Sequence, residues 1–344
     1  MRRVVCWIAT LTCVLVGAQA CGDDDEPAAD GGSDTTDAGR GGKGGSAGKA
    51  GASAAGKGGS GGASPAGKGG SGGAGGSAGG EAATQAVTIK FKAKIGDADL
   101  ECGKSYPGQG SSKVSATPQD FRMFVEDVRL LTSDGTEARV VFDERAPSQT
   151  KDVALLDFTD RQGKCTAGAA TVNTTITGKV VPGEYTGVVF VNGVPETLNH
   201  QNLTQAKPPL QDASTYWGWQ SGYRFIMTGL ITDAAPSGGD GADDAGPAST
   251  GANFVHIGSG GCADAGGTAF TCDRANRTRV KLDDFDVATN TIVADLGKVF
   301  ENIDLTEAIE CHGPAPECRP AYVAFGVDLD NGMALDTQSV FRVE

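Results

Sequence analysis

The chain has 344 residues, a net charge of −14, nine cysteines, and only three histidines and three tryptophans. Its acidic balance, with no basic stripe, argues against nucleic acid as a partner. No CxxCH stretch occurs, so this chain does not itself attach a c-type haem.

Residues 1–20 have the build of a secretory signal peptide. Arg2 and Arg3 precede an apolar run at 4–16, and Ala18-Gln19-Ala20 supply small residues at its end. Two processing routes fit. Cys21, directly after the small residues, matches a lipobox and would become the lipidated first residue; cleavage at an ordinary A-x-A site is the alternative. Gly22, where an acidic residue could stand, suggests sorting to the outer membrane, on its periplasmic or surface-exposed side. Residues 21–84 are mostly Gly, Ala, Ser, Asp and Lys, and GKGGSGGA occurs at 56–63 and again at 67–74. Such a segment buries too little apolar surface to offset its ordering entropy, so it reads as a disordered tether. Its typical reach is roughly 45 Å.

Residues 85–344 read as one mainly β domain. VTIKFKAKIG at 87–96 alternates apolar and polar residues, as a half-buried strand does. Within 120–144, Asp134-Gly135 is a hairpin signal between two β-rich runs. Phe121, Phe124, Val125 and Val128 also fit a helical face there, and the hairpin is the preferred reading. Further strands are expected at 153–158, 174–181, 185–193, 224–231, 253–259, 279–287, 291–297 and 321–330, with a short helix within 298–310. This rhythm indicates an antiparallel β-sandwich or barrel-like domain with long loops. One excursion breaks it. Residues 193–223 hold Pro195, His200, Pro208, Pro209, Trp217 and Trp219 without a clear strand, and a loop of that length in a compact domain is more often functional than idle. The Gly/Asp-rich stretch 234–252 reads only as flexible.

Six cysteines fall in the domain: Cys102, Cys165, Cys262, Cys272, Cys311 and Cys318. An even number in an exported chain reads as a disulfide framework, for which 15 connectivities exist. Closeness in sequence favours Cys262–Cys272 and Cys311–Cys318 and leaves Cys102–Cys165. A zinc cluster is the weaker alternative, since no CxxC pair is present.

His256 shares a strand face with Phe254 and Gly258. If the excursion folds over that face, His200, His256 and the two indoles converge. Neutral imidazole is then the best available donor for a late first-row metal. The plain reading competes with this: a hydrogen-bonded strand histidine and two core tryptophans. His312, inside CHGPAPEC, reads as an exposed loop residue before a ligand. GVDLDNG at 326–332 lacks calcium-loop spacing and fits a turn at Asp330-Asn331-Gly332. No G-x-S-x-G elbow and no acid–base pair appear, which argues against an enzyme acting alone.

CGKSYPG, DFRMFVEDVRLL, VALLDF, FVNGVPETLNH, PPL, YWGWQSGYRF, VHIGSGGC and FGVDLDNG, in this order along 87–344, resemble the MbnP-like family of exported four-cysteine proteins. The resemblance implies a non-enzymatic protein that binds one copper ion and works with a two-haem MbnH/MauG-like peroxidase. It also implies a tryptophan oxidised to kynurenine, which turns an apolar indole into an aniline nitrogen donor. Carried onto this chain, His200 and His256 are the implied ligands and Trp217 or Trp219 the oxidised residue. Six domain cysteines instead of four are a departure from the family pattern. The alternative function is a cell-surface binding or adhesion lipoprotein whose Trp217/Trp219 pair stacks on a ligand without metal. A purely structural envelope lipoprotein is a third.

Overall fold

The computed structural model describes residues 83–233, 251–264 and 270–344. The expected signal peptide, the Cys21 lipidation site, nearly all of the 21–84 tether and most of the 234–252 stretch lie outside the described residues. The main strands are β1 (Gln85–Ile95), β2 (Val114–Leu131), β3 (Ala154–Asp157), β4 (Thr175–Val180), β5 (Gly187–Asn192), β6 (Gly222–Thr232), β7 (Ala252–Gly258), β8 (Gly260–Asp264), β9 (Phe270–Arg274), β10 (Thr278–Asp283), β11 (Ile292–Asp295), β12 (Glu310–Cys311) and β13 (Phe341–Val343). Three short helices accompany them: α1 (Glu196–Asn199), α2 (Leu296–Phe300) and α3 (Arg319–Phe325).

The domain is mainly β, as expected. A larger sheet runs β10-β5-β2-β6-β7-β12, and a smaller one includes β13-β11-β1-β4. Two pairings, β1 with β11 and β7 with β12, are parallel rather than antiparallel. β1 turns Val87, Ile89, Phe91, Ala93 and Ile95 inward, the period of two read from its sequence. The inner faces of the two sheets meet at aromatic edges. Phe91 stands 5.7 Å from Phe190 and Phe190 5.2 Å from Phe341, both edge to face.

β2 is the spine of the larger sheet, with β5 and β6 along its length and β3 beside its middle. The hairpin reading of 120–144 holds: Leu131 pairs with Glu137 across a turn in which Gly135 takes φ +83°. The strand expected at 321–330 is instead helix α3. Pro320 sits in its first turn and Gly326, in the left-handed region at φ +80°, stops it. Ala321, Tyr322, Ala324 and Phe325 then form a buried helical stripe from residues that also suit a strand. Asp330-Asn331-Gly332 forms the expected turn, closed by the Val327–Ala334 bridge, and Arg319 grips Asp330 through both terminal guanidinium nitrogens.

All six domain cysteines are paired, as Cys102–Cys165, Cys262–Cys272 and Cys311–Cys318. No helix among the described residues is long and apolar enough to cross a membrane. The bridges close loops of 63, 10 and 7 residues. Chain-entropy arguments then rank their contributions at about 4, 3 and 2 kcal/mol. Urea unfolding of the three double Cys→Ser variants should reproduce that order, with loss of Cys102–Cys165 the most damaging.

Candidate functional site

The site is built on the face of β7 that carries Phe254, His256 and Gly258. In the sheet register His256 lies opposite Met227 of β6, which lies opposite Arg122 of β2. On the other side, β12 pairs in parallel, Phe254 with Glu310 and Val255 with Cys311. The Cys311–Cys318 bridge ties off the turn that follows. The next residue, His312, therefore comes alongside His256, and the two imidazoles stack with centroids 4.8 Å apart and planes at 14°.

His256 is buried while His312 is exposed. Burial, with repulsion from Arg224, His312 and Arg122 added to it, pushes the His256 imidazole down to about 3. It is a neutral donor at any physiological pH. Its Nδ1 is buried and has no hydrogen-bond partner, which is costly unless something else engages it. An orphaned neutral ring nitrogen beside a second imidazole suits a late first-row cation.

The excursion 193–223 does cross this face. Arg122, almost fully buried, is held bidentately by Asp120, both bonds 2.8 Å, and donates 2.9 Å to Ser214 Oγ in the excursion. That contact leads into the Tyr216–Gly218 strand, which pairs with β6 and lays Trp217 over Gly258. The fit is close: a Cβ at position 258 would stand 2.5 Å from the Trp217 ring and 2.4 Å from the Tyr223 carbonyl. Arg224 sits 5.7 Å from the Trp217 ring centre. Trp217 and His312 line one cleft of about 610 Å³, together with Ser259, Cys262 and Arg274.

Trp219 is sorted differently. The strand ends at Gly218, so the period of two that would put both indoles on one side stops before Trp219. Trp219 is 59% exposed and packs edge-on against Phe270, at 5.2 Å. His200, at the end of α1, joins this second group. It stacks on Phe270 at 4.6 Å, and its Nδ1 lies 3.0 Å from the Trp219 carbonyl oxygen. The ligand atoms of His200, Cys262 and Cys272 all lie within 4.8 Å of one another, with the two sulfurs joined as a disulfide.

The structure thus stacks His256 on His312, which lines the Trp217 cleft, and brings His200 together with Trp219 and the β8–β9 hairpin. His312 is the residue that sequence reasoning undervalued. Its link to His256 is a two-residue parallel pairing between segments more than fifty residues apart, which leaves no periodic trace. The one available signal was its position next to Cys311, since a bridged loop fixes its neighbours.

The features so far define an extracytoplasmic type of protein: a mainly β domain stapled by three disulfides, with imidazoles and indoles in two groups, one on β7 of the larger sheet and one at the β8–β9 hairpin. The MbnP family model matches residues 84–314, and the chain belongs to the MbnP family. Among solved structures it is similar to MbnP from Methylosinus trichosporium, with a TM-score of 0.66 and 28% identity over 76% of this chain and 98% of that one. No curated protein matches it in sequence.

Two outcomes follow. Gly258→Ala should displace Trp217, shifting its fluorescence and destabilising the fold by about 1–3 kcal/mol in urea unfolding. For metal-free protein, His256 adds a pH dependence of definite sign. Unfolded, it titrates near 6.5 and folded near 3, so the unfolded chain binds an extra proton between these values and stability falls as pH drops through them. Between pH 7 and pH 5 this group alone should remove about 2 kcal/mol; His256→Phe should flatten that part of the profile.

Proposed function

We propose that this chain is an exported copper-binding protein whose site is completed by oxidation of Trp217. The single observation that carries this is the stacked His256–His312 pair, with its orphaned buried Nδ1, at the cleft that Trp217 walls. His256 and His312 supply imidazole nitrogens, and the ion, once bound, supplies a redox-active or transferable soft charge. Oxidative cleavage of the Trp217 C2–C3 bond would add two oxygens, and hydrolysis would then release C2 as formate, leaving one oxygen in place of one carbon and an aniline nitrogen facing the same space. Trp217 is favoured over Trp219 because it shares the cleft with His312, whereas Trp219 faces solvent. His200, carried over earlier as a ligand, takes no part in this reading, because its ring is engaged at the Phe270 group.

The oxidising equivalents come from a two-haem MbnH/MauG-like partner, in keeping with family membership; the chain itself is not an enzyme. Trp217 is half-buried at a cleft mouth, within reach of electron transfer to a docked protein. Lipid attachment at Cys21 and the long 21–84 segment fit a domain held by a leash at the outer membrane. The exposed Trp219 alone does not form the paired stacking platform that the adhesion reading requires.

Peptide mass spectrometry of protein co-expressed with its partner should find the mass change of one oxygen gained and one carbon lost on Trp217, with Trp219 intact. His256→Ala and His312→Ala should each weaken copper binding about tenfold or more, roughly 1.4 kcal/mol, measured by competition with a chromophoric chelator. Full affinity in both variants, or an unmodified Trp217 in copper-loaded protein, would sink the proposal.

A further inference from the structure

The second histidine group supports a site of its own, and the inference does not rest on the copper reading above. We propose that the Cys262–Cys272 bridge is a redox-openable lock on a Cys2His site for a thiophilic divalent cation such as zinc, formed by Cys262, Cys272 and His200.

Three observations converge on it. Cys262 and Cys272 face each other directly across the β8–β9 hairpin, so opening the bridge leaves both sulfurs on one side of a paired ladder. Their ligand atoms and that of His200 lie within 4.8 Å of one another. Tetrahedral zinc with Zn–S near 2.3 Å and Zn–N near 2.0 Å separates its donors by roughly 3.5–3.8 Å, so the freed sulfurs must part from a bonded separation of about 2 Å, while His200 Nε2 already stands 3.4 Å from Cys272 Sγ.

The histidine is already oriented for the task. The Trp219 carbonyl can only accept, so His200 Nδ1 carries the proton and donates to it at 3.0 Å. The lone pair is therefore on Nε2, which lies 3.4 Å from Cys272 Sγ. Asn199 corroborates this tautomer. Its Oδ1 accepts from Tyr223 N–H at 2.9 Å, which turns its Nδ2 to donate to His200 Nε2 at 3.1 Å and Ser259 Oγ at 3.2 Å. A backbone carbonyl fixing one ring nitrogen while the other is presented is the usual outer-shell arrangement of a metal-binding histidine. A cation would take over the Nε2 lone pair, leaving Asn199 its bond to Ser259.

Accessibility singles out this bridge. Cys311 and Cys318 are fully buried and Cys165 nearly so, whereas Cys262 and Cys272 are both half-exposed. A dithiol of the thioredoxin class can reach them. The bridge takes two electrons and two protons from that dithiol, which closes to its own disulfide, and the protein is left with two thiols. Binding a divalent cation then releases those two protons to solvent. Cys262 also lines the Trp217–His312 cleft, so the state of this lock reaches the wall of the first site.

The test uses the mature, metal-stripped protein titrated with a dithiol reductant, with free thiols mapped by alkylation and cobalt(II) as the probe after the reductant is removed. Cys262 and Cys272 should be freed first. The opened protein should then take up one equivalent of cobalt with thiolate-to-cobalt charge-transfer absorption, which zinc displaces and which the oxidised protein lacks. His200→Ala should weaken that uptake at least tenfold, and His312→Ala should not. The Cys262→Ser/Cys272→Ser variant, checked for its fold by circular dichroism, should stay silent. Prior opening of another bridge, unfolding on opening, absence of the absorption with both thiols free, or an unchanged affinity in His200→Ala would each overturn the proposal.

Discussion

A guanidinium buried in the face of the larger sheet organises this end of the molecule. Arg122 sits on the central strand β2 with almost no exposure, and Asp120, two residues before it on the same face, takes both its Nε and an Nη. That leaves the other Nη aimed at the excursion, where Ser214 accepts it and Asp212 stands at 3.7 Å. Burying such a pair brings little net stability, yet removing one partner leaves an uncompensated charge and is strongly destabilising. Its consequence here is positional. The excursion has one place on the sheet where that nitrogen is satisfied, and from there the chain runs straight into Tyr216–Gly218 and sets Trp217 on Gly258.

The same face then sorts charge. Arg122 and Arg224 both bear on His256 and keep its ring neutral by repulsion added to burial. A neutral, buried imidazole is a good metal donor and a poor proton carrier. The neighbouring guanidiniums and burial thus keep the His256 lone pair free of a proton, a local effect opposite in sign to the chain's acidic overall charge. Arg224 near the Trp217 ring adds a second effect, since a guanidinium over an indole face is itself an attractive contact and restricts where that ring can go.

Much of the fold was legible because local patterns and global packing agree. β1 alternates in sequence and in burial, Asp134-Gly135 turns where a hairpin needs left-handed glycine, and the cysteine pairs nearest in sequence are the ones that bond. Helix α3 was misread as a strand because Ala321, Tyr322, Val323, Ala324 and Phe325 satisfy both periods; Pro320 before them and Gly326 after them were the arbitrating residues. The site was legible in part. The excursion, expected to bring His200, His256 and both indoles together over one strand face, lays Trp217 over Gly258, while His200 and Trp219 lie at Phe270 instead. His312 escaped for a different reason: its neighbour is supplied by a parallel edge pairing, and parallel partners distant in the chain share no local signal.

The division of three histidines and two tryptophans into two groups follows from where the excursion stops being sheet-like. Where it pairs with β6, through Tyr216 and Gly218 with an irregularity between them, Trp217 is laid over Gly258. At Gly218 the pairing ends, the chain turns, and Trp219 and its carbonyl swing to the hairpin side, where His200, brought by α1, is waiting with Phe270. Asn199 stands at the junction, tying Tyr223 of β6 to Ser259 after β7 and to the ring of His200. One buried amide therefore couples the strand that carries the Trp217 cleft to the histidine of the other group. Gly222 is what lets that amide sit there: a Cβ at this position would stand 2.4 Å from the Asn199 side chain, so the junction depends on a bare backbone in β6 as well as on the hydrogen bonds.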